Sequence, residues 1–366
     1  MPAPQMKPWI AAISPYVPGR AKADDGRPVV KLSANENPLG CSAAAREAFV
    51  TGADNLETYP DPTAAALRET LAKAHDLDPA RIIYGTGSDE ILTCAAECFA
   101  GPGDEVLFPA YSFSAYPIAT RRSGATPVEA EAKGYGCDVD ALIAAVTDRT
   151  RVVFLANPNN PTGTFIDRAE VARLHAGLPE NVLFVLDQAY AEYLGEHEDD
   201  GGLDLARMHA NVLVTRTFSK IHGLAAERIG WGYGSADVVN ALHRIRMPFC
   251  LTTAGQRAAI AAVEDAAFVT SSRDHNRRWR AWFEQEIASL GNAGLRTVPS
   301  KANFSLVLFE GKLTAETAYN GMMSRGYATR WLPNQGLGHG VRITIGDETH
   351  MRDIVAGLRE MVAEAG

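Results

Sequence analysis

Between about residue 63 and residue 220 the chain repeats one pattern: a helix-like stretch, a short apolar run, then a cluster of polar residues. Thr63–His75 and Asp89–Phe99 have helical spacing, and the runs Arg81–Tyr84, Glu105–Phe108, Val152–Leu155, Val182–Leu186 and Val212–Val214 are strand-sized. Apolar runs of this length without polar alternation must be covered on both faces. Their alternation with helices predicts a largely parallel, doubly wound α/β sheet. In such a sheet the carboxyl ends of the parallel strands share one edge, where ligands bind. The polar clusters are therefore expected to converge.

The rest of the chain has a different texture. Residues 1–40 carry prolines at positions 2, 4, 8, 15, 18, 28 and 38, too dense for a long helix, and read as an extended arm. After about Pro248 a long helical stretch, Ala254–Leu290, is followed by the strand-like runs Asn303–Leu308 and Val341–Ile345 and a last helix, Asp347–Ala363. The expected division is an arm over 1–45, a large domain over 46–248 and a smaller α/β domain over 249–366. A net charge of −9 argues against broad binding of nucleic acid or an anionic membrane. No apolar stretch approaches the roughly 18 residues of a membrane span and no signal-peptide core opens the chain, so a cytoplasmic location is expected. The cysteines Cys41, Cys94, Cys98, Cys137 and Cys250 are scattered and read as free thiols, with no metal site. The acidic run Glu196–Asp200 reads as a solvated loop.

Each polar cluster carries a chemical possibility beside a plainer one. Gly85-Thr86-Gly87-Ser88-Asp89-Glu90 offers a tight turn and free helix N–H groups, an anion site or an ordinary turn; a dinucleotide fingerprint would need glycine at 90. Tyr111, in Pro109–Phe113, either stacks on a flat ring or packs. Asn160, in the rigid turn Asn157-Pro158-Asn159-Asn160-Pro161-Thr162-Gly163, can donate its amide to a ring hydroxylate or close an Asx turn. Asp187, in Asp187-Gln188-Ala189-Tyr190, is costly beside an apolar run unless it meets a cation, and a protonated pyridine nitrogen would serve; the plainer reading is a helix cap. Tyr190 is placed to reach the same ring's hydroxyl. Lys220, in Thr217-Phe218-Ser219-Lys220 with Arg228 eight residues on, suits an aldehyde cofactor bearing a phosphate: the amine forms a Schiff base while hydroxyl and guanidinium hold the anion. Five such clusters, each supplying a group that one cofactor needs, favour the chemical readings jointly.

With these motifs the chain resembles the fold-type I pyridoxal-phosphate aminotransferases, and among them the histidinol-phosphate aminotransferase branch. The resemblance extends to Asn35-Glu36-Asn37-Pro38-Leu39-Gly40, Tyr59-Pro60-Asp61 and Val341-Arg342-Ile343-Thr344-Ile345-Gly346. It implies the aspartate-aminotransferase-like architecture, with a seven-stranded sheet in the large domain, a small C-terminal domain and an N-terminal arm. It also implies pyridoxal 5'-phosphate as cofactor, with Lys220 as Schiff-base and proton-transfer residue and Asp187 on the pyridine nitrogen. Asn160 and Tyr190 would contact the ring hydroxylate, Tyr111 would stack on the ring, and Ser88, Asp89, Thr217, Ser219 and Arg228 would hold the phosphate. Tyr59 would reach the phosphate of the other subunit of a homodimer. Arg342 would take a substrate carboxylate, with Asn35, Tyr16 and Arg330 also on the substrate side.

The implied reaction is transamination between an amino donor and a keto acid, with histidinol phosphate and 2-oxoglutarate as the first choice. An aromatic-amino-acid aminotransferase and an amino-acid-phosphate decarboxylase are alternatives on the same fold. A nucleotide-binding dehydrogenase is disfavoured by the incomplete glycine motif, and a transcription regulator by the short arm. Two departures from the family are notable. Glu227 puts an acid next to Arg228, and Trp331 and His339 are expected near the substrate mouth, where they would favour an aromatic substrate or pack under the loop.

Overall fold

The computed structural model describes residues 4–14, 22 and 26–366. Its centre is a seven-stranded sheet built from β1 (Ile82–Thr86), β2 (Glu105–Pro109), β3 (Thr126–Ala130), β4 (Thr150–Ala156), β5 (Leu183–Asp187), β6 (Val212–Thr217) and β7 (Ile229–Gly234). The spatial order is β1-β7-β6-β5-β4-β2-β3. Only β7 is antiparallel to its neighbours, so the other six strands point their carboxyl ends to one edge. Strands β4 to β6 are almost wholly buried, as their unbroken apolar runs require. One apolar cluster around Leu107, Val153, Phe184 and Trp231 covers one face, and another around Ile91, Phe108, Phe154 and Val185 covers the other.

Strand β7 carries three glycines in alternation, Ile-Gly-Trp-Gly-Tyr-Gly, which weakens any strand reading from sequence. The glycines are needed for close approach. A Cβ at Gly230 would run into the backbone of Gly87 and Ser88, and one at Gly232 would lie 2.7 Å from the Val214 carbonyl. The stretch Ala254–Leu290 is not one helix. Asp265 ends the first, Thr253–Glu264, and its carboxylate accepts from Phe268 N–H to start the second, Ala266–Ala288. The first of these packs Ala258, Ala259 and Ala262 into the large sheet's core, so it belongs with the large unit although it follows the expected boundary at 248.

The smaller unit is a four-stranded antiparallel sheet of β8 (Leu295–Val298), β9 (Phe304–Phe309), β10 (Arg330–Leu332) and β11 (Leu337–Thr344), in the order β8-β9-β11-β10. Helices Ala266–Ala288 and Glu348–Ala365 share its apolar core through Trp279, Phe283, Met351 and Leu358. The arm joins it as well: Val30–Lys31 pairs in parallel with Tyr327–Ala328. No helix among the described residues is long and apolar enough to cross a membrane.

Candidate active site

The carboxyl ends of the parallel strands and the turn before β7 surround a cleft of about 600 Å³. It is lined by Ser88 and Asp89 after β1, Phe113 after β2, Asn160 after β4, Asp187 and Tyr190 at the end of β5, Thr217, Ser219 and Lys220 at the end of β6, and Arg228. Segments as far apart in sequence as Ser88 and Arg228 thus meet.

At one end lies an anion cradle. Helix Ser88–Phe99 starts at Gly87 without a side-chain cap, so the N–H groups of its first turn remain available. Gly87 adopts φ +81°, and a Cβ there would lie 2.5 Å from Nη2 of Arg228; only glycine lets the guanidinium lie over the helix start. Arg228 itself is left-handed at φ 52°, a backbone strain of the kind that collects at functional sites. Its Nη1 donates to Ser219 Oγ at 3.0 Å and its Nη2 lies 3.4 Å from Asp89. Glu90, where a dinucleotide motif would have glycine, turns back to accept from Thr86 N–H at 2.6 Å and so locks the turn.

At the other end Asp187 is 3% exposed and, among the described residues, has no cation within ion-pair distance. It accepts from Tyr116 O–H at 3.1 Å, Ala189 N–H at 3.2 Å and Thr215 O–H at 3.3 Å. Burial outweighs these donors and pushes its pKa up to about 6. Lys220, between the two ends, donates to the Ala34 carbonyl of the arm at 3.1 Å. Burial, and next the Arg342 guanidinium, bring its pKa down to about 8. Tyr190 O–H accepts from Asn35 Nδ2 at 2.8 Å, which leaves its own proton for the cleft; burial raises its pKa to about 12. Arg342 donates to Asn160 Oδ1 and to the Ser33 carbonyl. With Oδ1 taken, the Asn160 amide presents its N–H₂ to the cleft.

Several expected residues sit elsewhere. Tyr111 does not line the cleft. Its φ of 56° turns the chain so that it lines a neighbouring groove, with its ring 5.6 Å from Tyr135 and against the apolar cluster of Val298, Leu306 and Leu337 in the small unit. Phe113, two residues on, enters the cleft instead. Asn35 is a buried brace, bonded to Tyr190, Thr344 and Asn303, rather than a group open to substrate. Arg330 stands directly opposite Arg342 on adjacent strands. Tyr59 is 79% exposed, its ring 4.7 Å from Phe249, and Tyr16 lies outside the described residues. Glu227 faces the start of helix Thr253–Glu264, where a Cβ on Gly255 would lie 3.3 Å from its Oε2, and is absent from the cleft lining. Trp331 donates to the Gly338 carbonyl of its own loop at 2.8 Å, whereas His339 bonds Tyr135, outside that loop, at 3.0 Å. The acidic run is not simply solvated. Asp200 is 1% exposed and bonded to Gln188, Asn157 and Gly202 N–H. Sequence reading missed Phe113, Tyr116 and Thr215; the first two lie in the string after β2, three residues apart.

The sequence matches the family model for aminotransferase class I and II over residues 27–358. The chain belongs to that family. It is 61% identical over 365 residues to the histidinol-phosphate aminotransferase of Zymomonas mobilis, covering 99% of each chain. It is 49% identical over 368 residues to the enzyme of that name from Rhodopseudomonas palustris, covering all of both. Its fold matches the crystal structure of histidinol-phosphate aminotransferase from Sinorhizobium meliloti in complex with pyridoxal-5'-phosphate, with TM-score 0.91, 27% identity and 99% and 98% coverage of the two chains. The cleft of this aminotransferase fits such a phosphorylated aldehyde. An uncapped helix start with a guanidinium suits the phosphate, a cation-less buried carboxylate suits a pyridinium, and a partly neutral amine suits the aldehyde.

Proposed function

We propose that this aminotransferase moves an amino group between L-histidinol phosphate and 2-oxoglutarate, in the cytoplasm, with pyridoxal 5'-phosphate held in the cleft. The observation that carries the chemistry is the approach of Lys220, Asp187 and the Arg228 cradle to one cleft. The full-length 61% identity to named histidinol-phosphate aminotransferases carries the substrate.

When bound, pyridoxal phosphate supplies an aldehyde that captures the substrate amine and a ring that accepts electrons from the substrate carbon. The protein's groups do the rest. Ser88 and Asp89 N–H, Thr217, Ser219 and Arg228 would hold the phosphate. Asp187 accepts from the protonated ring nitrogen and keeps it protonated. Asn160 and Tyr190 would donate to the ring oxygen, and Phe113, which lines the cleft where Tyr111 does not, would flank the ring. Lys220 Nζ would be the base that takes the proton from the amine-bearing carbon of the substrate. A pKa of about 8 leaves a useful neutral fraction of this amine near neutral pH. Arg342 holds the carboxylate of glutamate or 2-oxoglutarate as a bidentate pair; Asn160 and the Ser33 carbonyl orient its guanidinium. Histidinol phosphate has no such carboxylate, and its phosphate would engage Arg330, Arg342 and Tyr16.

The same reading makes the enzyme a homodimer in which exposed Tyr59 reaches the partner's phosphate cradle. Its ring points onto Phe249 and not into its own cleft, as that role requires. The aromatic alternative drew on Trp331 and His339, which bond Gly338 and Tyr135 and do not line the cleft. Cofactor-loaded protein mixed with L-histidinol phosphate, and separately with L-phenylalanine, with no keto acid present, tests the substrate. Rapid loss of the aldehyde-form absorbance with histidinol phosphate alone is the expected result. An equal or faster loss with phenylalanine would move the substrate to aromatic amino acids.

A further inference from the structure

We propose that Tyr116 is a positioning residue for the cofactor: its phenol, aided by the Thr215 hydroxyl, holds the Asp187 carboxylate ionised and aimed at the ring nitrogen. The inference rests on the cofactor reading above.

Tyr116 lies on helix Ala115–Ser123, is wholly buried and does not line the cleft. Its ring cannot swing away. It stacks on Phe154 at 4.7 Å and 12°, lies 5.9 Å from Phe108, and meets Phe113 edge-on at 5.8 Å and 88°. From this fixed ring the hydroxyl donates to Asp187 Oδ2 at 3.1 Å. Oδ1 is held separately by Ala189 N–H and Thr215 O–H. A carboxylate gripped at both oxygens cannot rotate without breaking a bond, and its remaining lone pair, on Oδ2, is left for the cleft it lines.

The grip also decides charge. Burial favours the neutral carboxyl, while the bonds from Tyr116, Ala189 and Thr215 favour the anion. A neutral carboxyl would donate to the ring nitrogen and leave it without its own proton, and the ring would draw electrons poorly. An anion accepts from a protonated nitrogen. Tyr116 thus acts on the cofactor only through Asp187. Through its edge contact with Phe113 it also buttresses the aromatic residue on the cleft wall, so one ring serves two cleft-lining groups.

The test compares pyridoxal phosphate with the analogue that has carbon in place of the ring nitrogen. Dissociation constants for both are measured on wild-type protein, Tyr116→Phe and Thr215→Val, after thermal unfolding of the cofactor-free forms has been compared. Tyr116→Phe keeps the ring and its packing. It is expected to weaken pyridoxal phosphate on the order of 10-fold, the size of a hydrogen bond to a charged group, and to leave the analogue unchanged. Thr215→Val should show the same selective loss at smaller size, because its bond is longer. Equal weakening of both compounds, or of neither, overturns the proposal, since packing alone does not distinguish nitrogen from carbon. Wild-type protein that binds neither compound overturns the proposed function and this inference with it.

Discussion

Asp187 and Asp200 are both buried carboxylates near the carboxyl end of β5, yet their surroundings differ. Asp200 is closed. Gln188 and Gly202 N–H occupy one oxygen and Asn157 the other, and Arg216 lends its charge from the far side of Gln188, to which its Nε donates at 2.9 Å. Asp187 has neutral donors behind it and a cleft in front. Lys220 is similar: a half-buried amine that donates to the Ala34 carbonyl. Buried charge that the fold has completed is structural; buried charge left incomplete toward a cleft awaits a ligand.

The sharpest way to break that contrast is at the incomplete lysine. Lys220→Ala is expected to lower transamination by about 10⁴-fold or more while pyridoxal phosphate still binds, because the proton-transfer amine is lost and the phosphate cradle is intact. Steady-state rates near those of the parent would remove Lys220 from the mechanism.

The two carboxylates should then respond with opposite signs. For Asp187 the folded pKa, about 6, lies above the ordinary 3.8. Its contribution to stability is therefore full below pH 3.8 and lost as pH rises through about 6. At about 1.4 kcal/mol for each pH unit, the ionised group costs the cofactor-free protein about 3 kcal/mol at neutral pH. Asp187→Asn should accordingly stabilise the cofactor-free form near neutral pH, with the gain vanishing below about pH 4. Burial raises the Asp200 pKa as well, yet Asp200→Asn should destabilise by about 1–3 kcal/mol, because the new amide meets the Asn157 Nδ2 donor. Asn157 cannot turn to accommodate it, since its own amide is bonded at both ends to Ile166. Denaturant melts of the two variants at both pH values check the signs; the same sign for both would erase the distinction.

What the sequence disclosed follows the same division. Lys220, Asp187, Asn160 and Arg228 are legible because each is a polar residue where an apolar run or rigid turn ends, and the sheet edge brings such ends together. Tyr111 stands outside the cleft, at a left-handed φ and packed against the small unit, a placement that strand and turn patterns do not reveal. Tyr116 and Asp200 escaped because each depends on a partner tens of residues away, Asp187 for the first and Asn157 for the second. Strand β7 was hidden by glycines whose purpose is close contact with Gly87 and Val214, and β3 by Pro127 on an edge strand.

A smaller effect separates Lys220 from an ordinary lysine. Only the neutral amine attacks an aldehyde, so the rate at which cofactor-free protein captures pyridoxal phosphate should rise through pH of about 8 and level off. Arg342 is the second cause of that low value, so Arg342→Gln should move the inflection upward. Stopped-flow absorbance across the alkaline range measures both. A rate that climbs to the usual 10.5 would mean that the cleft does not tune the amine.

The smallest effect belongs to an acid beside the cleft rather than in it. Glu227 adjoins Arg228 in sequence, and an inward carboxylate would repel a bound phosphate. It lies instead at the start of helix Thr253–Glu264, where Thr252 caps Gly255 N–H at 3.0 Å. There a negative charge meets the positive end of the helix dipole, worth about 0.3–1 kcal/mol at a partly exposed position. Partial burial outweighs that gain and raises its pKa, so the group's contribution to stability is full below the ordinary carboxylate value and is lost as pH rises through the raised one. Glu227→Gln should therefore leave the dissociation constant of pyridoxal phosphate within about twofold and should not lower stability near neutral pH, because burial already disfavours the charge it removes. Markedly tighter cofactor binding in that variant would place the carboxylate among the cleft's incomplete charges, and proximity in sequence to Arg228 would then matter after all.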